Sequence, residues 1–187
     1  MKETFLEQYY IIDRNTGDYI IQISLKDYDD VFNTWDSSVY NIRDLDSSLK
    51  SFLEEFLYEI DQRKNIVLNF QMNNQNKDVK MENNIETGIR NYFNYCYYLE
   101  TKKIKNSRKR IVSYILVSFL LTTLSFYLQV LDENGLVHEI VSLNFTVGGW
   151  VFLWEAFSLL FMQSSGLRKK KKHYKRISDA FIKFSYK

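Results

Sequence analysis

Residues 111–167 form a stretch of 57 residues without a single Lys or Arg, and basic residues crowd both of its borders. Lys102, Lys103, Lys105, Arg108, Lys109 and Arg110 precede the gap, and Arg168, Lys169, Lys170, Lys171, Lys172, Lys175 and Arg176 follow it. Within it, residues 111–131 contain no charge over 21 positions. At about 1.5 Å rise per residue, such a helix matches the ~30 Å apolar thickness of a bilayer. A chain of 187 residues has no soluble core large enough to cover that run. The pattern therefore predicts a membrane-crossing helix at 111–131. A second crossing is expected at 150–167, because the longer apolar stretch from residue 140 carries Gly148, Gly149 and Glu155 inside it.

Charge then orients the pair. Residues 1–101 carry 10 Lys/Arg against 18 Asp/Glu, net −8, and residues 102–187 carry 15 against 5, net +10. Between the two crossings lies a short acidic segment with Asp132, Glu133, Glu139 and the turn pair Asn134-Gly135. Cationic flanks stay on the cytoplasmic side, so both basic borders and both termini are expected there, with the acidic turn outside. Tyr127 and Trp150 are then expected as outer-interface anchors. The opening MKETFLEQYY lacks the apolar core of a signal peptide.

The remaining sequence predicts a small α+β cytoplasmic domain joined to this two-helix transmembrane hairpin. Residues 9–13 and 18–25 are rich in β-branched and aromatic side chains and flank Arg14-Asn15-Thr16-Gly17, as a hairpin does. From Asp46 onward, Leu49, Phe52, Leu53, Phe56, Leu57 and Ile60 recur at helical spacing, which predicts a capped amphipathic helix with its core on the Phe52/Leu53/Phe56/Leu57 face. Residues 65–72 read as a strand and 73–82 as a loop. A helix from residue 84 is expected to run directly into the first crossing. In the tail, Ile182, Phe184 and Tyr186 alternate as a strand that would join the amino-terminal sheet. The expected segments are a domain at 1–83, a basic coupling helix at 84–110, the hairpin at 111–167 and a basic tail at 168–187 packed on the domain.

No catalytic constellation emerges, and no cofactor or metal site is expected. Cys96 is the sole thiol, and His138 and His173 fall on opposite sides of the predicted membrane. Asp36, Asp44 and Asp46 could gather a cation, but Asp44 and Asp46 flank a helix start, where carboxylates cap free N–H groups. Two polar stripes are more informative. Ser118, Thr122, Ser125 and Gln129 share one face of the first crossing; Asn144, Gly148, Val151, Glu155, Ser158 and Met162 share one face of the second. Polar groups cannot be left unpaired against lipid, so the stripes either meet within one hairpin or line the interface or lumen of an assembly. Glu155, without a cation nearby in sequence, favours the second outcome. Tyr92, Phe93, Tyr95, Tyr97 and Tyr98 lead into the basic border, where aromatic and cationic groups serve either as lipid anchors or as base-stacking contacts. Arg108, Lys109, Arg110, Arg168, Lys169 and Lys170 are the candidate contacts for anionic lipid or an oligonucleotide or nucleotide ligand.

The order Phe32, Trp35-Asp36-Ser37, Arg43-Asp44-Leu45-Asp46, then Gly148-Gly149-Trp150 and Trp154-Glu155 between basic flanks, resembles a set of uncharacterised bacterial two-span proteins. In architecture it is also similar to small membrane effectors of anti-phage systems such as the Hailong channel effectors. That resemblance implies a homo-oligomer, a tetramer foremost, in the bacterial inner membrane that breaches it when its cytoplasmic domain senses a ligand, a short DNA oligomer in the Hailong type. The competing expectation from another class is a membrane-anchored scaffold or partner subunit with no pore of its own.

Overall fold

The computed structural model describes residues 9–40, 42–73, 77–131 and 135–186. These divide into two units, one of Met1–Tyr98 with Lys171–Lys187 and one of Leu99–Lys170. The expected segment of Asn134, at the turn, lies outside the described residues.

The first unit is a mixed four-stranded sheet with helices on one face. Strand β1 (Ile11–Ile12) pairs antiparallel with β2 (Tyr19–Leu25), and β2, β3 (Ile66–Met72) and β4 (Phe181–Tyr186) run parallel in the order β1-β2-β3-β4. The β1–β2 turn closes on Gly17 at φ 73°, a left-handed position that suits a residue without Cβ. Its hydrogen bonds run from the Gly17 N–H to the Asp13 carbonyl at 2.8 Å and from the Asn15 N–H to the Asp13 carboxylate at 2.8 Å. Parallel neighbours require crossovers. Helix α1 (Ser47–Glu59) supplies the one from β2 to β3. The second leaves β3 through α2 (Val79–Leu131), passes through the entire apolar hairpin, and returns through α3 (Leu136–Ser158) and α4 (Ser164–Ser178) to β4.

One face of the sheet holds the core. Tyr19, Ile21, Ile23 and Leu25 of β2, Ile66, Leu68, Phe70 and Met72 of β3 and Ile182 of β4 are buried in one cluster with residues from α1, α2 and α4. Helix α1 contributes Leu49, Leu53 and Leu57, α2 contributes Ile85, Ile89 and Phe93, and α4 contributes Tyr174 and Ile177. This corrects the expected phase of α1. Phe52 is 36% exposed, and Phe56 is only partly buried, edge-on to Phe52 and Tyr10. The start of α1 is as expected: the Asp46 carboxylate accepts from the N–H groups of Ser48 (2.8 Å) and Leu49 (3.1 Å). The hydrogen bond from Leu49, first among several, holds that carboxyl below its ordinary range.

Helix α2 begins at Val79, not at residue 84, because Asp78 accepts from the N–H groups of Lys80 and Met81 and so caps a helix inside the expected loop. From there it continues unbroken for 53 residues. Arg90 of α2 reaches the end of α4, donating to the carbonyls of Ser178 (2.7 Å) and Ala180 (3.1 Å) while paired with Glu86. The departing and returning helices are thus fastened together inside this unit. Tyr28, whose hydroxyl bonds that of Tyr186 at 2.8 Å, fastens β4 in turn.

Gly88 permits a further close contact. A Cβ there would lie 2.8 Å from both the Phe32 ring and the Tyr40 carbonyl oxygen, so the 32–45 loop packs against bare helix backbone. Gly88→Ala gains about 1 kcal/mol of helix propensity, yet the Tyr40 carbonyl is backbone and cannot yield. A net loss of about 1–2 kcal/mol is expected, read as faster hydrogen exchange in residues 32–45.

Candidate functional site

In the second unit, the apolar part of α2 (residues 111–131) and α3 form an antiparallel pair held by small and hydroxylated side chains. The Ser118 hydroxyl donates to the Gly149 carbonyl at 2.7 Å. Ser125 lies within 2.7 Å of the Ser142 carbonyl, 2.9 Å of the Ser142 hydroxyl and 2.7 Å of the Thr146 hydroxyl. The Gln129 amide donates to the Ser142 hydroxyl at 2.8 Å. At Gly149 the helices approach closely: a Cβ would sit 3.1 Å from Thr122 Cγ2 and 3.2 Å from the Ser118 carbonyl oxygen. Thr122 turns its hydroxyl back to the Ser118 carbonyl of its own helix at 2.6 Å. Nearer the basic border, Ile111 packs with Ala156 and Leu159, and Tyr114 sits beside Phe152 at a ring separation of 5.8 Å.

The stripe expected on residues 111–131 therefore meets its partner within one hairpin. The partner is not the expected one. Ser142, Gly149 and Ala156 are the buried positions of α3, seven residues apart, whereas Asn144, Val151 and Glu155 lie on its outer surface. Asn144 is exposed and donates only to the Ile140 carbonyl on its own helix at 2.8 Å. Ser158 is half-buried with Met162 Sδ as its neighbour at 4.0 Å. The second apolar helix starts at Leu136, fourteen residues before the expected start at 150, and continues as helix beyond 167. Gly148 and Gly149 do not interrupt it, because Gly149 serves as the crossing point. Trp150 follows that crossing point, opposite Ser118, and is therefore at mid-hairpin and not at the turn.

Glu155 also moves. The pairs Ser118–Gly149, Ser125–Ser142 and Ile111–Ala156 share one antiparallel register, on which Glu155 lies level with Val112 at the basic end. Its carboxylate is one of the charges that push Arg110 above its ordinary value, after the Tyr114 hydroxyl at 3.4 Å, which acts most strongly. The cation that feels Glu155 thus belongs to the basic border, outside the uncharged stretch. Sequence reasoning also missed a π-helical segment, Leu159–Gln163, where both the N–H and the hydroxyl of Ser164 return to the Leu159 carbonyl. Such segments concentrate at functional sites. Ser164 was the one available signal.

The basic border is exposed. Arg108, Lys109, Arg110, Arg168 and Lys169 are all solvent-accessible, Lys170 half so. The aromatic run divides: Phe93 is in the core, Lys171 Nζ lies 4.8 Å from the Tyr97 ring centroid, and Tyr95 and Tyr98 are exposed. Cys96 is buried, and burial pushes its thiol up. Asp36, Asp44 and Asp46 do not converge on one point. Asp36 accepts from the N–H groups of Ser38 (2.9 Å) and Asp44 (2.8 Å) and is held down at about 2, chiefly by the Ser38 side chain. Among the described residues no group of three His, Cys, Asp or Glu side chains is placed to hold a metal.

Two helices are thus long and apolar enough to cross a membrane, and only 17% of the residues in either apolar stretch are buried. No family model, curated protein or solved structure matches the chain.

Proposed function

We propose that this protein is a homo-oligomeric channel or membrane-disrupting effector of a bacterial inner membrane, its hairpin spanning the bilayer and its sheet domain receiving the signal that opens it. Anti-phage defence is the setting this architecture suggests. Phe119, Leu120, Phe126, Val137, Val147, Trp154 and Phe161 are exposed over the whole length of the helix pair, and hydrocarbon is the solvent that accommodates such a surface. Because β1, β2 and β3 precede the hairpin and β4 follows it in the same sheet, a hairpin that crosses must return to the side it left. This argument for co-located flanks is independent of charge, and the basic borders select the cytoplasm.

The observation that carries the oligomer is Asn144. It stands outside the hairpin, in its apolar length, level with the exposed Thr123. Its carboxamide has bonding capacity left over, and lipid offers none. A neighbouring copy does, and Asn between apolar helices contributes about 1–2 kcal/mol to association. Glu155, on the same face near the cytoplasmic mouth, would form a ring of charge that favours cations over anions.

Sedimentation of the detergent-solubilised protein is expected to give a tetramer or larger. Asn144→Leu should shift it toward monomer at least fivefold in apparent dissociation constant. Glu155→Gln should keep the oligomer and change potassium leakage from expressing cells. A monomeric wild type, or leakage unaltered by both substitutions, sinks the channel reading. One observation favours the scaffold alternative: Ser118 and Ser125 are buried and hydrogen-bonded inside the hairpin. A monomeric, non-leaking wild type would establish it.

A further inference from the structure

Residues 32–40 and 42–45 belong to a loop whose neck is closed by the Phe32–Leu45 bridge and whose described residues make several contacts with one another. Asn33 accepts from the Trp35 N–H at 3.0 Å, the Asn33 N–H reaches the Asp44 carbonyl at 2.8 Å, and Asp36 ties Ser38 to Asp44. Arg43 lies over the Phe32 and Tyr40 rings, 5.8 Å from each centroid, and donates to the Asn33 carbonyl. Tyr40 donates to Asp29 at 2.8 Å. This framework holds Trp35, Val39 and Ile42 outward, at 94%, 65% and 69% exposure. A loop braced by these contacts that displays a Trp and two aliphatics carries the cost of solvating them and has less ordering entropy to lose on binding.

The surrounding charge selects the partner. Residues 27–46 contain six Asp and one Arg, a net charge of −5. That field repels phosphate, whether of nucleic acid or of anionic headgroups, and attracts cations. Within the chain, residues 102–110 carry six Lys/Arg and residues 168–176 carry seven, neither segment containing an acid. Among the described residues nothing covers the Trp35 ring, which is 94% exposed.

We infer that the 32–45 loop docks on the basic flanks of a second copy, Trp35 receiving a Lys or Arg on its ring face and Val39 and Ile42 covering the aliphatic stems. The inference rests on the homo-oligomer reading and names the contact outside the membrane that would accompany it. Because the loop packs on α2 at Gly88, its engagement bears on the helix that continues to Leu131. The same cations would be the ones an anionic ligand seeks, so such a ligand would compete with the loop.

The test replaces Trp35 with the photoreactive p-benzoylphenylalanine in the full chain, reconstituted in vesicles of zwitterionic lipid. Illumination is expected to yield an adduct of doubled mass, mapped to residues 102–110 or 168–176, with a yield that falls at least threefold between about 0.1 and 0.5 M salt. The triple variant Trp35→Ala, Val39→Ser, Ile42→Ser, which touches only exposed side chains, should weaken association about tenfold or more. Adducts with lipid alone, or an oligomer of wild-type strength in the triple variant, overturn the docking role and leave the oligomer standing. A wild-type protein that is monomeric overturns both.

Discussion

Leu53→Ala is expected to lower the stability of the sheet domain by about 2–5 kcal/mol, whereas Phe52→Ala, one residue away and removing more atoms, should cost about 1 or less. Leu53 is 1% exposed, at the centre of the α1 face that covers the sheet, and its removal leaves a cavity walled by side chains that cannot collapse into it. Phe52 keeps a third of its surface in solvent and meets Phe56 only edge-on at 4.5 Å. Phe56, partly buried against Tyr10 at 5.2 Å, should fall between them. Hydrogen exchange of the β3 amides in the solubilised full chain reads the difference. Leu53→Ala should accelerate the slowest of them at least 20-fold, and equal acceleration by Phe52→Ala would mean that the helix is turned about its axis.

Gly149→Leu is the counterpart in the apolar pair. The added Cβ would meet Thr122 Cγ2 at 3.1 Å and the Ser118 carbonyl oxygen at 3.2 Å, and the second of these is backbone. The remaining side-chain atoms have nowhere to go except by separating the helices. Separation breaks the Ser118 bond to the Gly149 carbonyl and loosens the Ser125, Ser142 and Thr146 cluster. Overpacking of about 1–3 kcal/mol adds to about 0.6 for each intramembrane hydrogen bond lost, so pairing should weaken by tenfold or more. Cysteines introduced at 125 and 142 in a Cys96→Ser background should cross-link readily in the parent and poorly with Gly149→Leu. Gly149→Ala should lie between. Unchanged cross-linking would show that the helices are held by contacts elsewhere.

Much of this was legible in the residues because short-range chemistry decided it. Asp46 caps α1 as its position before the apolar repeat requires, and the alternation of Ile182, Phe184 and Tyr186 does form a strand. The 21 uncharged residues do form helix, continuous with the segment before them. What was illegible depended on neighbours. Five apolar residues along α1 make two overlapping stripes, Leu49/Leu53/Leu57 and Phe52/Phe56, and only the covering sheet chooses between them. Gly148-Gly149 reads equally as a helix break and as a close crossing, and the opposing Ser118 settles which. Likewise, the surroundings of Glu155 follow from the antiparallel register, which no local pattern encodes.

The insertion of the apolar hairpin into the β3–β4 crossover makes completion of the sheet wait on β4. During synthesis β1, β2 and β3 are complete long before β4 exists, so the unfinished sheet presents an unpaired edge along Ile66–Met72. That edge is a seven-residue run, IVLNFQM, of the kind that recruits other strands when left open. It is closed only by Phe181–Tyr186, and those residues reach it only after both apolar helices have formed and turned back. Were the proposed hairpin to cross a membrane once and fail to return, its six-residue β4 would be stranded on the far side and the β3 edge left bare. In the proposed membrane topology, completing the sheet therefore requires the chain to cross the bilayer an even number of times.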